Sequence, residues 1–184
     1  NFDRQPGLNL LRRNLNTWLP LGSFSPSARL FLLATIINGV IYSGWSLFFN
    51  FFILARGFDK DFLGLVNSAS SIGALLLGIP LGMLSDRLGR RQAMLLGLGL
   101  GTLGMASQVL SASAVWLLLA ALIGGLGNTL YSLSQAPFMM KVSTRENRLL
   151  LFSLNSGLIT LAGAVGNLFA GQMPDFFARV LNVE

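Results

Sequence analysis

Residues 82–91 carry most of the structural information in the sequence and read Gly82-Met83-Leu84-Ser85-Asp86-Arg87-Leu88-Gly89-Arg90-Arg91. The segment combines glycines, which suit close helix packing and tight turns, with one carboxylate and three arginines. Asp86 can pair with an arginine or cap the N-terminus of a helix. Long apolar runs precede and follow the segment. A short charged connection between apolar runs is typical of helices that cross a membrane.

Five stretches of the chain are long and apolar enough to cross a bilayer, since a helix needs about 20 apolar residues to do so. None of the five contains a charged side chain. They cover approximately residues 30–54, 62–84, 93–110, 114–140 and 149–173. We therefore predict an all-α integral membrane protein with five transmembrane helices, embedded in the lipid bilayer.

The composition of the 184 residues agrees with a membrane protein, because 53% are apolar, only 11% are charged and the mean hydropathy is +0.64. A soluble domain of this size needs more polar surface for contact with water. The sequence contains no cysteine and no histidine, which excludes disulfides, thiolate or imidazole metal sites and Ser-His or Cys-His catalysis. The predicted spans also contain no carboxylate. We expect no enzyme activity, no metal and no cofactor.

The net charge of +6 would suggest nucleic acid as the partner of a soluble protein. Here the basic residues lie between apolar runs, so they indicate membrane topology and no nucleic-acid partner. Ten of them fall on one side of the five spans and three on the other. The ten are Arg4, Arg12, Arg13, Arg29, Arg87, Arg90, Arg91, Lys141, Arg145 and Arg148, and the three are Arg56, Lys60 and Arg179. This count predicts a multi-pass protein of the plasma (inner) membrane with a cytoplasmic N-terminus.

The first segment, residues 1–28, is more polar than the rest of the chain. Leu8, Leu11, Leu15 and Trp18 recur at helical spacing, with arginines and asparagines on the other faces. This pattern fits a short helix in the headgroup region of the membrane, and it fits a partly ordered tail equally well.

Residues 82–91 resemble the signature loop of the major facilitator superfamily, G-x-L-A-D-R-x-G-R-R, and depart from it only at Ser85, where the family has alanine. The loop also lies between the second and third spans, as in that family. The resemblance implies a carrier with two six-helix halves built from internal inverted repeats. Residues 29–184 would form part of the N-terminal half, and a second half would be its partner.

The same resemblance implies roles for individual loop residues. Asp86 would engage a helix end in the other half of the carrier. The arginines Arg87, Arg90 and Arg91 would pair with acidic groups or lipid phosphates, and Gly82 and Gly89 would be packing positions.

Two family patterns tied to proton antiport are incomplete. In R-x-x-x-G-x-G of the fourth span, Gly125 and Gly127 match but Ala121 occupies the arginine position. In G-P-x-x-G-G of the fifth span, the corresponding residues 166–171 lack the proline. Both departures count against proton antiport.

Two stripes of polar and aromatic residues are candidates for lining a solute cavity, because the resemblance implies that spans one and four surround it. The candidates are Asn38, Tyr42 and Trp45 in the first span and Asn128, Tyr131 and Gln135 in the fourth. Hydrogen bonding between helices is the alternative role for such residues.

Small residues in other spans indicate close helix packing. The predicted packing positions are Asn67, Ser70 and Ser71 in the second span, Gly97, Gly101 and Gly104 in the third, and Ser156, Thr160, Gly163 and Asn167 in the fifth.

Two functions are consistent with the sequence. The first is a secondary transporter that moves a small neutral or amphipathic solute by alternating access. The alternative is a non-transporting scaffold or accessory subunit of a larger membrane complex.

Overall fold

The computed structural model describes residues 21–110 and 113–181, so most of the predicted N-terminal segment lies outside the described residues. A 3₁₀ turn at Leu21–Ser23 precedes five long helices. These are α1 (Pro26–Ala55), α2 (Lys60–Leu88), α3 (Arg90–Leu110), α4 (Ala114–Val142) and α5 (Arg148–Leu181).

All five helices are long and apolar enough to span a membrane, and the described residues contain no strand. The prediction of an all-α membrane protein with five spans is therefore confirmed. The helices extend beyond the apolar runs into the charged segments. Asp86 and Arg87, for example, belong to the last turn of α2 rather than to an irregular loop.

Local side chains set the beginnings and ends of the helices. Ser25 caps α1 by accepting a hydrogen bond from the backbone N–H of Ala28, and Pro26 occupies the first turn. Asp59 caps α2 in the same way through the N–H of Phe62, at 2.7 Å. Gly89 alone separates α2 from α3, with φ of +86°. This left-handed conformation suits glycine because a side chain would be strained there.

Three helix pairs form most of the bundle: α3 packs against α4, α1 against α5, and α2 against α4. Glycines allow the α3–α4 pair to approach closely. A Cβ atom at Gly104 would lie 2.5 Å from the Cα atom of Gly124, and one at Gly97 would lie 2.7 Å from the carbonyl oxygen of Gly127. Gly97 and Gly104 thus pack as predicted. Gly101 takes part through its backbone, since a Cβ at Gly127 would lie 2.5 Å from the Gly101 nitrogen, although a Cβ at Gly101 itself would meet no described atom within 4 Å.

Helix α5 packs against α1 through a different face from the one predicted. Ser156, Thr160 and Asn167 are exposed, so the described residues do not show the predicted packing at these positions, while Gly163 does approach Ser43 of α1. The contact face instead consists of Asn155, Ala162, Gly166 and Ala170, which are all buried. It lies next to the predicted face because Gly166, rather than Gly163, meets the α1 backbone most closely.

The bundle has two ends, which we name by their connections. The signature-loop end contains Gly89 and the α4–α5 connection 143–147, and the start of α1 lies there as well. Ser25 Oγ donates to the carbonyl of Val142, and Asn147 Nδ2 donates to the carbonyl of Ser23. The opposite end contains the α1–α2 connection 56–59 and the α3–α4 connection.

Candidate functional site

A cavity of about 370 Å³ opens between α1, α2, α3 and α4. Its wall consists of amides, hydroxyls, glycines, aromatic rings and aliphatic side chains. Among the described residues, those that line it include no Asp, Glu, Lys or Arg. The cavity can therefore offer hydrogen bonds and ring stacking to a bound molecule, but no ion pair.

Five of the six candidate cavity residues line this space. They are Asn38, Tyr42 and Trp45 of α1 and Asn128 and Tyr131 of α4. The structure thus brings the two stripes together across one cavity. Gln135 lies one helical turn beyond Tyr131 and is not among the described lining residues. Its side chain lies close to that of Tyr131.

A polar cluster that joins three helices lies on the side of the cavity towards the signature-loop end. Tyr131 of α4 is 6% exposed and lies close to Thr35 of α1 and to Gln135. Thr35 Oγ1 donates to Asn155 Oδ1 of α5 at 3.1 Å, and both residues are buried. Tyr131 therefore lines the cavity beside an interhelical hydrogen bond.

Aromatic rings line the cavity towards the opposite end. Trp45 stacks on Phe49, with ring centroids 5.6 Å apart. Phe49 belongs to an apolar cluster with Ile53, Val66 and Leu117, and Phe58 and Phe62 stack on each other beside it. Arg56 lies over the ring of Phe52 and donates to the carbonyl of Val109, so it links the ends of α1 and α3.

The signature loop is almost entirely helical. Asp86 forms an ion pair with Arg90, which lies four residues later on the far side of Gly89. The N–H of Gly89 donates to the carbonyl of Ser85, and its own carbonyl accepts from the N–H of Ala93. Of the two roles open to Asp86, the structure shows pairing with an arginine.

The other loop residues have open surroundings within the described part of the chain. Arg87 and Arg91 are exposed, as is Gly89. A Cβ atom added at Gly82 would have no described atom within 4 Å, and the same holds at Gly78. The predicted packing role of Gly82 therefore has no partner among the described residues. On α2 the closely packed glycine is Gly73, which meets Leu122 and Leu126 of α4.

Sequence reasoning missed several cavity residues. Asn67, Ser70 and Ser71 of α2 line the cavity, although the sequence favoured a helix-packing role for them, and Thr102 and Gln108 of α3 line it as well. Polar residues in an otherwise apolar span were the available signal. The sequence alone does not predict which polar residues of α2 and α3 face the cavity, because both helices carry polar and apolar residues on several faces.

Four of the five membrane-length helices surround a polar cavity with no charged lining residue among those described. A single glycine within a charged segment connects α2 to α3, and together these features define an integral membrane protein. The sequence model of the Major Facilitator Superfamily matches residues 18–179. The chain belongs to this family, and the resemblance found in residues 82–91 is confirmed.

Among curated proteins, the chain is similar to solute carrier family 2, facilitated glucose transporter member 12. The human protein is 34% identical over 97 residues, which is 53% of this chain and 16% of the human protein. The mouse protein is 32% identical over 118 residues, 64% of this chain and 18% of the mouse protein. The chain thus spans less than a fifth of the length of these relatives. No solved structure matches it significantly.

Proposed function

We propose that the chain is part of the N-terminal half of a secondary transporter, a carrier rather than an enzyme, which moves a small uncharged solute by alternating access. The observation that carries the proposal is the cavity between α1 and α4, with its amides, hydroxyls and aromatic rings and no charged lining residue among those described. A solute with several hydroxyl groups fits this chemistry best. Amides both donate and accept hydrogen bonds, and aromatic rings stack on the apolar faces of sugars.

The relatives support both the class of solute and the need for more chain. They are named as facilitated glucose transporters, and this chain corresponds to less than a fifth of their length. In this proposal a second half covers the open side of the cavity, and the solute binds between the two halves near the middle of the bilayer. The signature-loop end, which carries most of the basic residues, faces the cytoplasm of a cell whose plasma (inner) membrane holds the protein.

The experiment is uptake of radiolabelled D-glucose by proteoliposomes that contain the full-length protein. Asn38→Leu removes an amide from the cavity wall, whereas Asn50→Leu removes a partly buried amide from the same helix outside the cavity. We expect Asn38→Leu to raise KM by about tenfold or more, since one lost hydrogen bond to a bound solute is worth roughly 1–3 kcal/mol. Asn50→Leu should leave KM unchanged.

Three results would contradict the proposal. Equal loss of uptake in both variants would separate transport from the cavity. Uptake of charged solutes alone would contradict the neutral substrate class. Absence of uptake for a panel of neutral and charged solutes, by protein that is folded and correctly inserted, would favour the scaffold or accessory-subunit alternative.

A further inference from the structure

Ser85, the residue that departs from the family pattern, is completely buried. Its hydroxyl oxygen lies 2.7 Å from that of Ser134 on α4, which is equally buried. Nη1 of Arg90 lies 3.0 Å from the same Ser85 oxygen. The alanine typical of the family has no polar side-chain atom with which to make either contact, so these bonds depend on the serine.

The direction of each hydrogen bond follows from the chemistry of its partners. Ser134 Oγ lies 2.7 Å from the carbonyl oxygen of Leu130, which can only accept. A hydroxyl has one proton, so Ser134 donates it to Leu130 and Ser85 donates its own to Ser134. Arg90 donates to Ser85 while it remains paired with Asp86. Each hydrogen bond therefore donates in the same direction, from Arg90 to Ser85, then to Ser134 and then to Leu130. We call these three successive hydrogen bonds the hydroxyl relay.

The relay ends at the part of α4 that forms the cavity wall. Leu130 is adjacent to Tyr131, which lines the cavity and lies close to Thr35. Ser134 lies less than one helical turn from Tyr131. One short segment of α4, residues 130–135, is thus bonded to the signature loop on one side and lies against the polar cluster beside the cavity on the other.

We infer that the hydroxyl relay fixes the signature loop to the cavity-forming segment of α4, and that Ser85 and Ser134 are positioning residues for the loop. The link between the helices is a pair of neutral hydroxyl groups shielded from water, where a hydrogen bond is stronger than at a surface. The charged pair of Asp86 and Arg90 lies outside this link, with 61% of the Asp86 side chain exposed. A displacement of α4 at the cavity is transmitted through the relay to the loop; this last step rests on the proposed transport function.

The first test measures how often the loop separates from α4, and it needs no solute. Ala93 lies in the first turn of α3 and is completely buried. Residues 1–184 contain no cysteine. Ala93→Cys, with any cysteine elsewhere in the full-length protein replaced, reports opening through its rate of reaction with N-ethylmaleimide. We expect Ser85→Ala and Ser134→Ala each to raise this rate about twofold to tenfold, the effect of losing one net hydrogen bond.

The two substitutions remove the same bond, so the double variant should react no faster than the faster single variant. Ser132→Ala is the matched control, because Ser132 is an exposed serine on the same helix, and it should leave the rate unchanged. Additive effects of the two substitutions, or unchanged rates in both, would overturn the inference.

A second measurement tests the contact directly. In Ser85→Cys/Ser134→Cys, mild oxidation should form an intramolecular disulfide, since the native side-chain oxygens are 2.7 Å apart. Failure to cross-link in folded protein would contradict the contact.

Uptake kinetics separate positioning from a purely structural role. With the solute that the full-length protein transports, Ser85→Ala should lower Vmax per folded molecule severalfold and leave KM unchanged. A purely structural role would lower the amount of folded protein without changing the turnover of each molecule. If glucose uptake is absent but the maleimide and disulfide results are as expected, the substrate proposal fails and the positioning role stands.

Discussion

Both ends of the helical bundle contain an apolar cluster, and the signature-loop end adds buried hydrogen bonds between helices. The cluster at the signature-loop end includes Phe24, Phe31, Leu32 and Leu151, and the one at the opposite end includes Phe49, Ile53, Val66 and Leu117. The buried hydrogen bonds join the pairs Thr35–Asn155 and Ser85–Ser134. Hydrogen bonds have preferred distances and angles, whereas apolar contacts depend mainly on packed volume.

This difference teaches which end has a fixed register. A helix that slides along its neighbour by one residue loses the packing of the apolar clusters at both ends, and at the signature-loop end it also breaks the directional hydrogen bonds. We therefore expect the register of the helices to be fixed more strictly at the signature-loop end.

The largest effect on stability should follow from a substitution in the contact between α3 and α4, which lies between the two ends of the bundle. In Gly127→Val the new Cβ would lie 2.5 Å from the backbone nitrogen of Gly101. Backbone atoms cannot rotate away, so the cost should exceed the roughly 1–3 kcal/mol typical of overpacking and prevent assembly of α3 with α4. Size-exclusion chromatography of detergent-solubilised protein measures the loss of folded material. Gly99→Val, at a glycine with no described atom near its Cβ position, should remain folded.

The next largest effect on stability is expected at the opposite end of the bundle, in its apolar cluster. Leu117 is completely buried, whereas Leu119 on the same helix is 49% exposed. Leu117→Ala should lower the free energy of unfolding by about 2–4 kcal/mol because it leaves an unfilled space in the cluster. Denaturant titration in detergent compares it with Leu119→Ala, which should change the free energy of unfolding by well under half as much. Equal effects would mean that the cluster is not a packed core.

At the signature-loop end, one substitution should lower the free energy of unfolding by less, because it removes a hydrogen bond rather than packed volume. Thr35→Val retains the shape of the side chain and leaves the Asn155 oxygen without its donor. The expected loss is about 1–2 kcal/mol. Thermal unfolding against Thr160→Val measures it, since the Thr160 hydroxyl is exposed and bonds only within its own helix. A loss as small as that of Thr160→Val would remove the distinction between the two ends.

The smallest effect on stability should come from Asp86→Asn. The ion pair with Arg90 is largely exposed on the Asp86 side, so water and salt weaken it. We expect a loss of no more than about 0.5 kcal/mol in low salt and none in about 1 M salt. A loss that persists in high salt would show that the carboxylate contributes to the fixed register in addition to the hydroxyl relay.

The sequence was sufficient to predict the five helices and the position of the charged turn, because apolar length and charge are local properties of the chain. Helical spacing places Asn38, Tyr42 and Trp45 on one face of α1 and Asn128 and Tyr131 on one face of α4, and the family resemblance implied that the two faces meet. Both faces line one cavity, and its role in solute binding stays a prediction. The sequence did not separate Gln135 from Tyr131, because spacing gives the face of a helix but not the depth along it.

Other features depended on contacts between distant residues. Ser85 and Ser134 are 49 positions apart in sequence, and no local pattern around either serine predicts that the two form a hydrogen bond. On α5, glycines at 163 and 166 are equally suited to close packing, and only the position of the α1 backbone selects the second. The cytoplasmic orientation of the signature-loop end and the role of residues 1–20 stay predictions from charge and hydrophobic spacing.

The one-residue connection at Gly89 constrains biosynthesis. Arg90 follows Leu88 with a single intervening residue, so α2 and α3 have no slack with which to enter the bilayer one after the other. They must insert as a helical hairpin, and its tip carries Arg87, Arg90 and Arg91, whose charges resist transfer across the hydrocarbon core. Lengthening the chain at Gly89 with a flexible segment should allow α2 and α3 to enter the bilayer separately. The connection between α1 and α2, residues 56–59, is longer, so these two helices can already enter one after the other.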